Sequence, residues 1–196
     1  MSFAETVCLT IRRSSVRALY DVGSIIVGAA MVALSARVAL PLPFTPVPIT
    51  GQTLAVLVIA AALGSKRGAL SVLLYLTWGA LSVPLFAGGV AGVARLVGPT
   101  GGYLVGMLAA AWIVGRLMEA GWGRRTRTAI AAMALGTVAI YTLGLVWLSR
   151  FVPATSLLNC GLYPFVLGDL CKILIGGLSV PLLARWHGGA GKTPLS

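Results

Sequence analysis

Asp169 and Lys172 stand three residues apart inside the last long apolar stretch of the chain, within Gly168-Asp-Leu-Cys-Lys172. One charge at a bilayer centre costs about 2.5 to 3.5 kcal/mol on insertion scales, so each of these needs compensation. At 3.6 residues per turn the two side chains lie about 60° apart on a helix, close enough to neutralise each other or to grip one ligand together. From these residues alone two readings stay open: a ligand or ion site, or an internal brace between membrane helices. Other chemistry has little material. Asp21 and Glu119 fall near the ends of apolar runs and Glu5 lies in the tail, leaving Asp169 as the acid deep in a span. A carboxylate relay or a paired-carboxylate hydrolase is therefore not expected. His187, the single histidine, follows the last span, and Cys8, Cys160 and Cys171 have neither zinc spacing nor a C-x-x-C pair, so no metal or cofactor is expected. The tail Gly188-Gly-Ala-Gly-Lys-Thr193 ends like a phosphate-binding loop, but Trp186 stands where that motif needs its first glycine.

The surroundings of the pair follow from composition. Of 196 residues, 58% are hydrophobic and 10% charged, and the mean hydropathy is +0.97. Such a chain belongs in a bilayer. Apolar runs bounded by breakers predict an all-α bundle of six transmembrane helices, near 20 to 41, 51 to 65, 68 to 86, 100 to 121, 127 to 150 and 157 to 185. One membrane domain, 20–186, is expected between short tails at 1–19 and 187–196. The second run is short, and needs tilt, a thinned bilayer or re-entrant character. The residues before Tyr20 lack a signal-peptide plan, so the first run is expected to stay as an anchor.

The net charge of +11 is scattered between hydrophobic runs and forms no continuous stripe, which argues for topology signals and lipid contacts over nucleic acid. Eleven Lys and Arg residues fall on one side of the alternating scheme, and Arg37, Arg95 and Arg150 on the other. Both termini are thus expected in the cytoplasm. The external connections then include Pro41-Leu-Pro-Phe-Thr-Pro-Val-Pro-Ile-Thr-Gly-Gln-Thr53, whose four prolines forbid helix and favour a stiff extended loop. Thr45, Thr50, Gln52 and Thr53 place polar groups where that loop enters the second span. The glycine-rich segment from Phe86 to Tyr103 carries Arg95, which could clamp a carboxylate or reach lipid headgroups. Small residues at Ala29 and Ala33, and at Gly102 and Gly106, allow close helix packing.

Several segments together resemble the BioY family of biotin transport proteins: Pro46-Val-Pro-Ile-Thr-Gly-Gln-Thr53, Gly68-Ala-Leu-Ser-Val-Leu-Leu-Tyr75, Val83-Pro-Leu-Phe-Ala-Gly-Gly89, Gly98-Pro-Thr-Gly-Gly-Tyr-Leu104 and Gly168-Asp-Leu-x-Lys172. They are collinear from about residue 20 to 185. The resemblance implies a substrate-capture (S) component of an energy-coupling-factor (ECF) transporter that binds biotin near the outer face of the cytoplasmic membrane of a bacterial cell. It further implies that Asp169 and Lys172 hold the ureido ring and Arg95 the valerate carboxylate, with Thr50, Gln52 and Tyr103 as cap and wall groups. Partners implied are a membrane T component, for which Ala29 and Ala33 become a candidate docking face, and cytoplasmic ATPases. A small membrane enzyme and a structural membrane subunit are the rival classes.

Overall fold

The computed structural model describes residues 3–189, with side-chain surroundings described for 15–181. Cys8, Arg12, Arg13, Arg185, His187 and the 188–193 stretch therefore lie outside the described side chains. The fold is helical apart from one small hairpin: α1 (Phe3–Arg37), β1 (Ala39–Leu42), β2 (Thr45–Thr50), α2 (Gln52–Ala80), α3 (Val93–Val97), α4 (Gly101–Glu119), α5 (Thr126–Leu148), α6 (Leu157–Gly161) and α7 (Tyr163–Gly189).

The α2 segment is two helices and not one long rod, because Gly64 breaks it with φ +80° and ψ −179°. A straight helix would hold Gln52 and Tyr75 about 35 Å apart; instead Gln52 Nε2 donates to the Tyr75 hydroxyl at 2.6 Å. The two arms, 52–63 and 65–80, run antiparallel, and a Cβ built on Gly68 would sit 2.8 Å from Ala60 Cα. Two of the six expected spans are therefore the arms of this helical hairpin, with the turn at Gly64 rather than at the Lys66-Arg67 pair. Glu119 secures the turn: its Oε1 accepts from Ser65 N at 2.7 Å and Ser65 Oγ at 2.9 Å, placing a carboxylate at the N-terminus of the second arm. Only glycine occupies the Gly64 conformation without strain, and a Cβ there would meet Glu119 Oε1 at 2.7 Å. Gly64→Ala is expected to destabilise the bundle by about 1–3 kcal/mol, read as a lower melting temperature in detergent, whereas Gly23→Ala, with nothing near its Cβ, leaves it unchanged.

α4 packs between the α2 hairpin and α5 at the centre of the bundle, and its small residues face those neighbours. A Cβ on Gly106 would lie 2.8 Å from Ile140 Cα, so the Gly102–Gly106 face serves internal packing against α5. α1 closes one side. Its Ala29 and Ala33 are 0% and 8% exposed and belong to the core cluster with Ile59 and Val72 of α2. That face of α1 therefore packs on α2 in this structure, while the exposed apolar side opposite it runs along Val27, Met31 and Leu34.

The proline-rich segment is extended, as its composition requires, and its two strands pair antiparallel with Ala39 opposite Thr50 and Leu40 opposite Ile49. Prolines are tolerated because each strand has an unpaired edge. In β2 the buried Thr45 and Val47 alternate with Pro46 and Pro48. Gly51 N closes the base of the hairpin on Val38 O at 3.1 Å. Its far end rests on a break in the last span. Pro164 has no N–H to offer the carbonyl four residues earlier, Cys160 O, so α6 stops and α7 restarts. That freed carbonyl accepts from Thr45 Oγ1 at 2.6 Å, and Gly161 O accepts from the Tyr103 hydroxyl at 2.8 Å. Cys160 Sγ adds a weak bond to Phe44 O at 3.5 Å.

Candidate ligand-binding site

Strand β2, the start of the first α2 arm, the 86–100 segment and helices α4, α5 and α7 line a cavity with about 600 Å³ of space, the open solvent at its mouth included. Asp169, Lys172, Arg95, Thr50, Gln52 and Tyr103, all marked from sequence, line it together. They converge from residues more than a hundred positions apart in the chain.

One end of the cavity is a closed polar network. Lys172 Nζ donates to Asp169 Oδ1 at 2.7 Å, to Thr53 Oγ1 at 2.9 Å and to Thr50 O at 2.8 Å. Those three bonds use all of the ammonium's donors. Asp169 Oδ1 also accepts from Thr53 Oγ1 at 3.2 Å, while Oδ2 accepts from the Tyr141 hydroxyl. The Asp169 and Lys172 side chains are 9% and 18% exposed, so the pair is withdrawn from solvent and compensated internally. Brace and binding group are thus not alternatives. Lys172 aims the Asp169 carboxylate and ties the strand-to-helix junction at Thr50 to α7. Asp169 keeps acceptor capacity on Oδ2, since a carboxylate offers about four lone-pair sites and three donors are engaged.

The other polar group is different in kind. Arg95, on α3, lines the cavity, and its guanidinium has no hydrogen bond or ion pair with a described residue. It also borders an outer vestibule between the hairpin and Ala87-Gly88. Counting Asp169, Lys172 and Arg95, the cavity carries a net charge of +1, which suits a monoanion with its charge at the Arg95 end. Much of the remaining wall is apolar, formed by Val47, Phe86, Leu104, Met107, Ile140 and Phe165. Phe86 is fixed edge-on against Tyr75, with ring centroids 5.6 Å apart.

Two expected ligand groups are committed to the protein. The Tyr103 hydroxyl is bound to Gly161 O, and Gln52 Nε2 to Tyr75, so the Tyr103 ring is wall and Gln52 fastens the hairpin arms as well as lining the cavity. Tyr141 was not anticipated. Its signal is a hydroxyl in the middle of an apolar span, where a phenol needs a polar partner. Thr53 was marked only as a polar group at the loop's end, and emerges as the link between both charges.

Comparison with known proteins agrees with this architecture. The sequence profile of the BioY family matches residues 10–189. The biotin transporter BioY of Rhodobacter capsulatus is 38% identical over 180 residues, covering 83% of this chain and 91% of that protein. A probable biotin transporter BioY of Pyrococcus horikoshii is 39% identical over 127 residues, 65% of this chain and 74% of its own. Among solved structures, the S-component for biotin from an ECF-type ABC transporter superposes with a TM-score of 0.79 at 24% identity, over 86% of this chain and 93% of that one, a likeness of fold. The relatives are transporters rather than enzymes, and among the described residues five helices are long and apolar enough to cross a membrane. With its profile match spanning nearly the full length and its fold shared with an S-component, the chain belongs to the BioY family.

Proposed function

We propose that the chain captures biotin for uptake across the cytoplasmic membrane of a bacterial cell, as the substrate-specific component of an ECF-type transporter. The observation that carries this reading is the presence in one cavity of Arg95, whose guanidinium has no described hydrogen-bond partner, and a buried carboxylate with a free lone pair, among walls that are otherwise largely apolar. Biotin has matching parts: a monoanionic carboxylate, an apolar chain and thiophane ring, and a ureido group whose N–H donors suit Asp169 Oδ2. Lys172 acts on the ureido end through Asp169, because its own donors are engaged. Thr50, Gln52 and Tyr103 shape the pocket. The chain sits with both termini in the cytoplasm, its 20–186 domain in the membrane and the β hairpin outward. ATP hydrolysis comes from cytoplasmic ATPase partners through a membrane T component, since the chain has no intact nucleotide motif of its own.

Purified protein in detergent is expected to bind radiolabelled biotin saturably, with unlabelled biotin displacing it and the recovered vitamin chemically unchanged. A folded preparation showing no saturable binding at micromolar protein would sink the assignment. Co-expression with T and ATPase subunits tests the partners separately, by whether a complex is recovered.

A further inference from the structure

Among the described residues, one buried side-chain polar atom has no hydrogen-bond partner: Thr100 Oγ1. Thr100 is 7% exposed and lines the same cavity as Arg95. It stands at the N-cap of α4, where a threonine hydroxyl ordinarily accepts from an N–H of the first turn. Here it makes no such bond. The residue adopts φ −87° and ψ −5°, and its own carbonyl takes the first-turn donors, from Tyr103 N at 3.1 Å and Leu104 N at 3.2 Å. The hydroxyl is thereby released from its capping duty and left in a buried site without an acceptor. Burying a hydroxyl without a partner is unfavourable, so such a group calls for a partner that is not part of the chain, a water or a ligand.

What that partner must be follows from the neighbourhood. The 19-residue α4 presents its N-terminal end at Thr100, and this end of a helix favours negative charge. Arg95 adds a full positive charge without a protein counter-ion on the preceding element. No described acidic side chain other than Asp169 lines the cavity, and Asp169 is engaged with Lys172, Thr53 and Tyr141. A hydroxyl that needs an acceptor, an unpaired guanidinium and a helix N-terminus together call for an anionic oxygen.

We propose that Thr100 donates its hydroxyl proton in a hydrogen bond to the ligand's carboxylate, acting with Arg95 as a specificity-determining residue. This deepens the biotin reading and rests on it. Thr100 then discriminates a carboxylate from its neutral ester.

The test is calorimetric titration of wild type, Thr100→Val and Thr100→Ser with biotin and with biotin methyl ester. Valine keeps the shape and deletes the hydroxyl, while serine keeps the hydroxyl. Thr100→Val is expected to weaken biotin about tenfold, the loss of one hydrogen bond to a charged acceptor, and to weaken the ester clearly less, because an ester carbonyl accepts only a neutral hydrogen bond. Thr100→Ser is expected to retain wild-type binding of both. An equal loss for biotin and ester, or no loss for biotin, overturns the role of Thr100 while leaving biotin capture in place. No biotin binding by the wild type overturns both. Should Thr100→Val fail to fold, Thr100→Ala read against Thr100→Ser carries the same comparison.

Discussion

Asp169→Asn is expected to weaken biotin binding at least tenfold while the bundle stays folded, and Asp169→Ala is expected to do both kinds of damage. An asparagine can still turn its oxygen to Lys172 Nζ, now at 2.7 Å from Oδ1, but its NH2 group then replaces Oδ2. A donor would face the Tyr141 hydroxyl and the ureido N–H groups, so the recognition surface changes sign while the packing does not. Each hydrogen bond to a charged acceptor contributes about 1.5–3 kcal/mol, which sets the scale of the loss. Alanine removes the counter-ion altogether and strands Lys172 in a site where it is 18% exposed. Breaking a buried pair from one side costs about 3–5 kcal/mol, so the melting temperature should fall along with affinity. Calorimetry and thermal unfolding in detergent separate the two effects. Wild-type affinity in Asp169→Asn would reduce the network to a brace.

Arg95→Ala is expected to have the second largest effect on binding and almost none on stability. The guanidinium has no described protein partner, so its removal leaves nothing unpaired in the empty protein. With biotin present it removes the charge opposite the carboxylate, and a drop of roughly 30- to 100-fold corresponds to about 2–3 kcal/mol for a charge-assisted contact. Biotin amide, which lacks the charge, should bind wild type and Arg95→Ala with similar affinity. Arg95→Lys should recover only part of the loss, because an ammonium cannot offer the planar two-point fork. If biotin and its amide weaken in parallel, Arg95 is shaping the pocket and not reading the carboxylate.

The legible and illegible parts of the chain divide on physical grounds. Asp169 and Lys172 announce themselves because a charge in an apolar run has to be compensated, and Arg95 because it is the basic residue of a glycine-rich outer segment. Periodicity cannot tell which way a face points. Ala29 and Ala33 share one side of α1, as their spacing requires, yet that side meets α2. The hairpin in α2 was visible as two short runs, but its turn sits at Gly64, where one backbone conformation reverses the chain without interrupting the helical pattern around it. Tyr141 reads as a core aromatic until α7 is placed beside it. Thr100 carries no mark of its own in the sequence, and only the structure shows that its hydroxyl is idle.

The hairpin over the cavity is held mostly through its main chain. Lys172 takes Thr50 O, Cys160 takes Phe44 O, and Gly51 N closes on Val38 O; Thr45 is the one hairpin side chain that supplies a tether. Val47 and Pro48, which face the cavity, carry none of this attachment. The side chain at Pro48, half-buried and outside the core cluster, can therefore change in size without detaching the hairpin, whereas Val47 is packed into the core and helps to seat it. The chain has, in effect, an adjustable wall on a fixed mount, and variants confined to position 48 offer a route to altered ligand shape preference that leaves the anchoring of the site untouched.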